Sequence, residues 1–390
     1  MDVSLFIASR LRFKGRLAMI CIAVSFLVMI IAVAVSSGFR NEIRDGISGF
    51  SGDIMITPVN MNYIGETSPI GRYPSWLDSV SSLEGVKELH PAVYRAGIVK
   101  NADNIHGVIF KGVESFGEDT IGSMTVMLPS RLAAMLSLEP GDDMPAYFIG
   151  ERVRARKFKV ASIYEPVADM EDVMVVYASI ADMQRLNGWA EDEVSSIEIL
   201  LKDRYRNVRE MQAISDKVGF TIFSSASEDD DTVVASSAVE SYPQLFDWLD
   251  LIDSNVLFIM VLMTVVAGFN MISGLLIMLF ENISTIGLLM ALGMTDMSIA
   301  KIFLASSSVI VLKGMAAGNL LAFAFCAVQG LTHFLALDPA NYFVSFVPVH
   351  IDIGLVLLAD LAAFCVIMLL LLIPSLFIAK VDPAKSVTVR

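Results

Sequence analysis

The sequence predicts a membrane protein with four transmembrane α-helices, one followed by three, and a mixed α/β extracytoplasmic domain between helices 1 and 2. Two observations predict this fold class. The 390 residues are 55% hydrophobic and only 18% charged, far from the composition of a soluble enzyme. The apolar residues concentrate in residues 17–37 and 255–379, on either side of an ordinary polar stretch. We therefore expect an N-terminal anchor at 1–37, a polar domain at 38–254 and a helical region at 255–390.

The first predicted span is Leu17–Ser37, long enough to cross a hydrocarbon core of about 30 Å. Basic residues precede it, which places the N-terminus in the cytoplasm. They are Arg10, Arg12, Lys14 and Arg16. A cleavable signal peptide is the alternative, because Ala34-Val35-Ser36 is similar to a cleavage site. The length of the apolar stretch favours an uncleaved helix.

The polar domain at 38–254 is strongly acidic. It holds 35 of the 42 acidic residues and 19 of the 28 basic ones, which excludes a basic nucleic-acid surface on this domain. The three cysteines, Cys21, Cys326 and Cys365, all fall in apolar stretches. They are therefore expected to be small packing residues, not a disulfide framework or a zinc site in the polar domain.

Short β-branched or alternating runs predict strands in this domain, and the segments between them predict helices. The strand candidates are Asp53–Thr57, Gly107–Lys111, Ala146–Ile149, Arg156–Tyr164, Val173–Tyr177 and Ser196–Leu201. The helix candidates are Ser130–Leu138, which Pro140-Gly141 should end, Asp182–Leu186 and Tyr205–Val218. We interpret the acidic run Glu228–Asp231 as a solvated turn in preference to a metal site.

The sequence carries no recognisable catalytic motif. It has no phosphate-binding G-x-x-x-x-G-K-[ST] loop, no zinc-binding H-E-x-x-H helix and no G-x-S-x-G nucleophile turn. We therefore expect a non-catalytic chain without a cofactor of its own, and any ATP hydrolysis on a separate chain.

Three further spans follow the polar domain. They are Asn255–Phe280, Ile302–Ala327 and Asp352–Phe377. Four crossings return the C-terminus to the cytoplasm, where Lys380, Lys385 and Arg390 agree with the excess of basic residues on that side. Residues 281–301 then form a cytoplasmic loop, and residues 328–351 form an outer loop.

This layout and a series of ordered motifs resemble the MacB/FtsX-type permease superfamily, and within it the lipoprotein-releasing (Lol) permeases. The motifs lie along nearly the whole chain. They are Phe6–Arg10, Leu138–Asp142, Arg156–Val160, Tyr242–Phe246, Gly268–Ser273, Ile286–Thr295, Ile373–Ser375 and Val381–Lys385. Two departures are evident: the uncharged run Asn282–Thr285, where relatives carry charges, and the short hairpin Ala146–Phe158, where relatives that bind a soluble carrier project a longer hook.

The resemblance implies the permease subunit of an ATP-driven ABC transporter in the bacterial inner membrane, with its large domain in the periplasm. The implied task is to extract lipoproteins for targeting to the outer membrane. The implied partners are a cytoplasmic ABC ATPase, a second permease copy or paralogue, lipoprotein cargo, membrane lipids and a periplasmic lipoprotein carrier. The alternatives are a MacB-like exporter of small molecules or peptides, an FtsX-like regulator of cell-wall hydrolases, and a sensor that needs no ATPase.

The resemblance also identifies the loop 281–301 as the element that contacts the ATPase. A short amphipathic helix around Ile286–Leu292, ended by Gly293, can transmit force from a cytoplasmic motor. An interfacial helix lying on lipid is the alternative. The expected coupling residues are Glu281, Ile286, Gly287, Leu288, Leu289, Ala291, Leu292 and Gly293.

Two charged residues are expected at similar depths in the membrane, Lys313 in span three and Asp360 in span four. Because isolated charges are costly in hydrocarbon, we predict an ion pair between them, with independent snorkelling of each side chain as the alternative. Gly314 and Gly318 form a small-xxx-small face for close helix packing, and Phe269 and Asn270 are further candidates for helix packing.

The methionines of span two are the remaining candidates for a functional role. They are Met260, Met263, Met271 and Met278. Their flexible side chains could adapt to the acyl chains of cargo, or they could simply fill the membrane core.

Overall fold

The structure is a computed structural model. It describes residues 16–61, 68–101, 104–116, 119–149, 153–166, 174–338 and 342–377. The opening motif Phe6–Arg10 and the basic residues before Arg16 lie outside these ranges, as do the motif Val381–Lys385 and the basic residues at the C-terminus.

Four long helices are apolar and long enough to cross a membrane, which confirms the four predicted spans and their arrangement of one followed by three. The helices are α1 (Arg16–Ser51), α2 (Leu77–Ser81), α3 (Ser130–Leu136), α4 (Ile180–Asn187), α5 (Val208–Ser225), α6 (Ala238–Ser241), α7 (Pro243–Glu281), α8 (Ile283–Ala291), α9 (Asp296–Thr332) and α10 (Ile353–Phe377). The candidate spans are α1, α7, α9 and residues 353–374 of α10.

A mixed α/β domain lies between α1 and α7, as predicted. Its strands are β1 (Ile54–Pro58), β2 (Ile70–Gly71), β3 (Val86–Asn101), β4 (Asn104–Val113), β5 (Ser115–Phe116), β6 (Asp119–Thr120), β7 (Thr125–Pro129), β8 (Asp143–Phe148), β9 (Arg154–Tyr164), β10 (Val175–Ser179), β11 (Glu193–Val194), β12 (Ser196–Leu201) and β13 (Val233–Ser237).

The chain divides into two compact units. One is helical and falls within residues 1–41, 249–336 and 346–390, and the other is the α/β unit within residues 42–248 and 337–345. The long helices α1 and α7 each run through a unit boundary. The described residues of 337–345, from the loop between α9 and α10, belong to the α/β unit, which no pattern in the sequence indicates.

Nine strands form one sheet in the α/β unit, in the order β13-β1-β12-β3-β4-β10-β7-β9-β8. The last strand, β8, also pairs with β3 through Ile98–Tyr147 and Val99–Ala146, so six of the strands close into a barrel. β12 begins and ends where predicted, whereas β3, β7 and β13 are missing from the prediction. The 16-residue β3 contains Pro91, Gly97 and several charged residues, which hide its alternating pattern.

Aromatic side chains fill the barrel. The ring centroids of Phe110 and Phe148 lie 4.8 Å apart, and those of Phe110 and Phe158 lie 5.5 Å apart. Gly97 of β3 is required at this point, because a Cβ atom there would lie 2.9 Å from the Phe110 ring and 3.0 Å from the Phe148 ring. The packing inside the barrel therefore requires a small residue at position 97, opposite two large aromatic side chains.

The last turns of α1 are held inside the α/β unit by a buried lysine. The Lys111 ammonium donates to the carbonyl oxygens of Gly49 (3.1 Å) and Phe50 (2.7 Å) and pairs with the Glu198 carboxylate at 2.9 Å. Lys111 is 2% exposed and Glu198 is 5% exposed. A cation at the C-terminal end of a helix neutralises the partial negative charge of the last carbonyl groups.

Two tyrosines complete this clamp. Tyr94 donates its hydroxyl to the Phe50 carbonyl at 2.7 Å and also to Glu198, and Tyr177 donates to the Gly49 carbonyl at 3.1 Å. Burial, with a smaller contribution from the Glu198 carboxylate, raises the pKa of the Tyr177 hydroxyl far above its usual range. The hydroxyl therefore stays a hydrogen-bond donor at physiological pH.

The helices of the α/β unit differ from the prediction at their ends. α3 stops at Leu136, because Ser137 takes the left-handed conformation (φ 51°) before Pro140-Gly141 is reached. α5 begins at Val208 and not at Tyr205, since the side chain of Asn207 accepts from the Glu210 amide at 2.9 Å and caps the helix.

The acidic run Glu228–Asp231 forms a turn whose carboxylates bind protein groups. Asp230 accepts from the Ser75 amide at 3.1 Å and from the Ser227 amide at 2.8 Å. Hydrogen bonds from Ser75 and Ser227 lower the pKa of the Asp230 carboxyl. Asp231 accepts from the Gly71 amide at 2.8 Å, so the turn fastens two loops together.

Candidate functional site

A short helix is present where the sequence predicted one around Ile286–Leu292, as α8 (Ile283–Ala291), directly after α7. Its role in coupling stays a prediction. α7 ends at Glu281, and Asn282 separates the two helices, with its side-chain amide donating to the Met278 carbonyl at 2.8 Å. The Ile286 amide then donates to the Asn282 carbonyl at 3.0 Å. A single residue, Asn282, therefore separates the two helices.

Gly293 sets the end of α8. Its φ is +90°, in the region that favours glycine, and Leu292 rather than Gly293 is the capping residue. The Gly293 amide donates to the Met290 carbonyl and the Met294 amide to the Leu289 carbonyl, both at 3.0 Å. This pair of bonds is a Schellman motif, and it satisfies carbonyl groups that the end of the helix would otherwise leave free.

One face of α8 is anchored in the helical unit. Ile286 is 1% exposed and lies in a buried cluster at the α8 end of α7 and α9. The other buried members of the cluster are Met278, Leu279, Ile299 and Phe303. Gly287 is also buried, and Leu289 is half-buried. α8 is therefore packed against both long helices, α7 and α9.

The opposite face of α8 is exposed and apolar. Leu288 and Leu292, one helical turn apart, are 59% and 75% exposed, and Ala291 and Gly293 are exposed beside them. Glu281 is exposed at the start of the loop. An anchored helix with an uncovered apolar face is typical of a protein-binding element. The sequence pattern predicted this helix but did not predict which of its residues are exposed.

Gly314 and Gly318 of α9 lie directly against α1. A Cβ atom at Gly314 would lie 2.8 Å from Ile22 Cγ2, and one at Gly318 would lie 2.4 Å from the carbonyl oxygen of Ala23 and 2.9 Å from Phe26 Cβ. The two glycines therefore let the backbones of α1 and α9 approach more closely than any other residue allows.

α7 contributes a third close contact through Gly268. A Cβ atom at this position would lie 2.4 Å from the end of the Leu370 side chain of α10. Phe269, which was expected to be a packing residue, is 64% exposed within this chain, and Asn270 is half-buried. Gly268, and not the predicted Phe269, is thus the residue that packs against α10. Neighbouring residues point about 100° apart around a helix, so the two cannot face the same partner.

The methionines of α7 divide between the core and the partly covered surface. Met271 and Met278 are buried in the helical unit, at 0% and 4% exposure. Met260 and Met263 are half-buried. Met271 and Met278 therefore fill the core and are not available to cargo in this arrangement.

The expected ion pair between Lys313 and Asp360 is not present in the described part of the chain. Asp360, 6% exposed, instead accepts from the side-chain amide of Asn319 at 2.5 Å, and Lys313 is exposed. Asn319 is six residues beyond Lys313 in α9, so their side chains leave the helix about 120° apart. The predicted ion pair was wrong because it relied on the similar depths of Lys313 and Asp360. The rotation of α9 about its axis also decides which of its side chains faces α10, and Asn319 is the one that does.

The contact between Asn319 and Asp360 should show energetic coupling. We expect Asn319→Leu and Asp360→Leu each to lower the stability of the purified protein by roughly 1–3 kcal/mol, since each change leaves a buried polar group without its partner. The double variant should cost clearly less than the sum. Thermal unfolding in detergent measures this, and the pair Lys313→Met and Asp360→Leu, which is not in contact, should be additive. Additive losses for Asn319 and Asp360 would contradict the assignment.

The loop after α9 is organised by a buried glutamine that sequence reasoning missed. Gln329, 0% exposed, donates to the Val347 carbonyl at 2.9 Å and accepts from the Leu335 amide at 3.1 Å. The sequence does contain a signal for this role, because a glutamine in an otherwise apolar helix needs hydrogen-bond partners. The same loop reaches α1, where the His350 amide donates to the Ala34 carbonyl at 2.9 Å.

α1 is also tied to α7 by a polar contact. Arg40 pairs with Asp253, and Ser36 donates to the same carboxylate at 2.6 Å. Ser36, part of the possible cleavage site, thus lies inside a continuous helix and binds a residue more than 200 positions away.

Comparison with protein families matches residues 257–383 to the FtsX-like permease C-terminal family. This region contains most of α7, all of α8 and α9, and α10. The chain is also similar over most of its length to two proteins named lipoprotein-releasing system transmembrane protein LolC. The one from Xylella fastidiosa (strain Temecula1) is 21% identical, and the one from Neisseria meningitidis serogroup B is 23% identical. Each similarity covers 94% of this chain and 91% of the relative.

Among solved structures, the chain is similar to the periplasmic region of MacB from Actinobacillus actinomycetemcomitans, with a TM-score of 0.32 and 11% identity. The similarity covers 52% of this chain and 95% of that one. The family match and the two relatives confirm the resemblance to LolC-like permeases of the MacB/FtsX type that the ordered motifs indicated.

Proposed function

We propose that this chain, an ABC-type permease with an FtsX-like C-terminal domain, extracts lipoproteins from the bacterial inner membrane for delivery to the outer membrane. Its similarity over 94% of its length to proteins of a lipoprotein-releasing system supports this task. The single structural observation that carries the mechanism is α8, anchored through Ile286 and presenting Leu288 and Leu292.

In the proposed mechanism, α8 lies in the cytoplasm and docks on a separate ABC ATPase, which binds the ATP. The chain itself performs no hydrolysis and needs no other cofactor. Movement of the ATPase displaces α8, and the buried cluster around Ile286 passes this displacement to α7 and α9. Since α9 packs on α1 through Gly314 and Gly318, the four spans respond as a packed set.

The α/β unit acts on the periplasmic side in this proposal. The Lys111 clamp fixes the last turns of α1 to the sheet, so a shift of residues 42–51 moves the whole unit. A second permease chain would complete a cavity for the lipid anchor of the cargo, between apolar helices that are open to the bilayer. A soluble carrier would then receive the released lipoprotein, although the short hairpin Ala146–Phe158 gives it less surface to bind than a longer hook would.

Depletion of the protein tests the task directly. When its synthesis is stopped, outer-membrane lipoproteins should accumulate in the inner membrane by at least about tenfold, because release is the only step removed. Separation of the two membranes and quantification of lipoproteins in each measures this. A control strain should express a depletion-resistant copy.

Normal lipoprotein sorting after depletion would reject the proposed cargo and leave the permease architecture. Loss of resistance to toxic compounds would then identify a MacB-like exporter, and a defect in cell separation would identify an FtsX-like regulator of cell-wall hydrolases. Failure to co-purify with any ATPase would favour a sensor.

A further inference from the structure

Asp360 is the only acidic residue within the four spans, and its side chain lies inside the helical unit. The spans are taken as residues 17–37, 255–280, 302–327 and 353–377. Asp360 is 6% exposed and lies about 10 Å beyond Ile353, where α10 begins, at a rise of 1.5 Å per residue. An ionised carboxylate in such surroundings is costly unless a cation or several hydrogen-bond donors offset its charge.

The described part of the helical unit contains no basic side chain that pairs with Asp360. Lys313, the only Lys or Arg of the spans, is exposed and leaves α9 about 120° away from Asn319, which is the partner of Asp360. One turn to either side of Asp360 in α10, Val356 and Ala363 belong to the buried apolar cluster. The other titratable side chains of the spans are the thiols of Cys21, Cys326 and Cys365.

Two oxygen atoms of the contact between Asn319 and Asp360 are left without a hydrogen-bond partner. The side-chain amide of Asn319 donates to Asp360 Oδ2 at 2.5 Å. Asp360 Oδ1 and Asn319 Oδ1 are both buried, and among the described residues neither has a partner. Buried polar atoms are unfavourable when they are left unpaired, and two acceptors cannot bond to each other. The contact therefore lacks one donor.

We propose that Asn319 and Asp360 form a proton-binding site, in which Asp360 is a neutral carboxylic acid at physiological pH. A proton on Asp360 Oδ1 supplies the missing donor and is donated to Asn319 Oδ1. Together with the bond from the Asn319 amide, it closes a ring of two hydrogen bonds and removes the charge that the apolar surroundings disfavour. One proton satisfies both unpartnered oxygens, whereas a metal ion such as Ca²⁺ takes about six to eight oxygen ligands.

Proton binding is linked to the packing of α9 on α10. When the two helices separate and the acid meets water, it ionises as an ordinary aspartate does, so separation or unfolding releases one proton. Rising pH therefore favours the separated state, and the packed state in turn favours proton uptake. The site makes the contact between α9 and α10 sensitive to pH. This property goes beyond the proposed function and depends on neither the cargo nor the ATPase.

Infrared spectra of the full chain, purified in detergent at neutral pH, test the protonation state. Asp360→Asn places an amide N–H where the acid has its O–H. The control is Asp352→Asn at the start of the same helix, where an exposed carboxylate accepts from the Gly354 amide at 2.8 Å and asparagine caps equally well. We expect Asp360→Asn to remove the C=O band of a protonated carboxylic acid and Asp352→Asn to remove a carboxylate band.

Equilibrium unfolding of the same proteins at several pH values provides the second measurement. Because unfolding releases one proton, the unfolding equilibrium constant of the natural protein relative to that of Asp360→Asn should rise about tenfold per pH unit around neutral pH. The same ratio for Asp352→Asn should not change with pH.

Three results would overturn the proposal. They are loss of a carboxylate band with Asp360→Asn, a stability ratio for this variant that is constant with pH, and failure of Asp360→Asn to accumulate when Asp352→Asn accumulates normally. The last result counts because the new amide offers the same donor and acceptor as the acid, so only a need for the negative charge would prevent folding. Lipoprotein sorting is measured separately, so an error in the proposed cargo leaves these measurements unaffected.

Discussion

Replacing both Gly314 and Gly318 by alanine should prevent the helical unit from assembling. The new Cβ atom at position 318 would lie 2.4 Å from the carbonyl oxygen of Ala23, and backbone atoms cannot move aside as the end of a flexible side chain can. α1 and α9 must therefore separate, which exposes Ile22 and Phe26. We expect a loss of about 3 kcal/mol or more, at the upper end of overpacking effects, and accumulation in the membrane below about one-tenth of normal.

The control for this prediction is Gly330→Ala in the same helix. A Cβ atom there would lie 3.7 Å from Val349 Cγ2, an ordinary contact distance. Since alanine favours helix more than glycine does, this variant should be as stable as the natural protein or slightly more stable. Measuring membrane accumulation and thermal aggregation of both variants separates steric overlap from a general effect of alanine. Equal behaviour of the two variants would show that α1 and α9 do not pack as described.

The double variant Leu288→Glu/Leu292→Glu should abolish transport while leaving the chain folded. The two leucines are 59% and 75% exposed and take no part in the buried cluster around Ile286. Under the proposed docking of α8 on an ATPase, two carboxylates on its exposed face would be buried at the contact without partners, which is strongly unfavourable. We expect at least a tenfold loss of ATPase co-purification and a corresponding accumulation of lipoproteins in the inner membrane.

A conservative pair provides the control, because Leu288→Met/Leu292→Met keeps an apolar surface of similar size. This variant should retain ATPase binding and transport. If the glutamate variant binds the ATPase normally, α8 is not the docking element, and an interfacial helix lying on lipid becomes the better explanation of its apolar face. Membrane accumulation of both variants shows whether the chain remains folded.

Sequence patterns predicted the helical elements well where the residues that determine an element all lie within that one segment of the chain. The four spans follow from runs of apolar residues, and the end of α8 follows from Gly293, because few other residues adopt a φ of +90°. Strands were harder to predict. β12 alternates clearly, whereas β3 is interrupted by Pro91 and Gly97, whose roles depend on strands that lie next to it in space.

The sequence by itself determined the number of spans, the acidic domain between the first two, the short helix after the second span and the presence of two charged residues in the apolar helices. Only the tertiary structure decided the partners of these groups. Gly314 and Gly318 face α1, Asp360 binds Asn319, and Lys313 is left exposed. The physical reason is that hydropathy fixes how deep a residue lies, whereas the rotation of each helix about its axis fixes which neighbour it meets, and that rotation results from the packing of all four helices together.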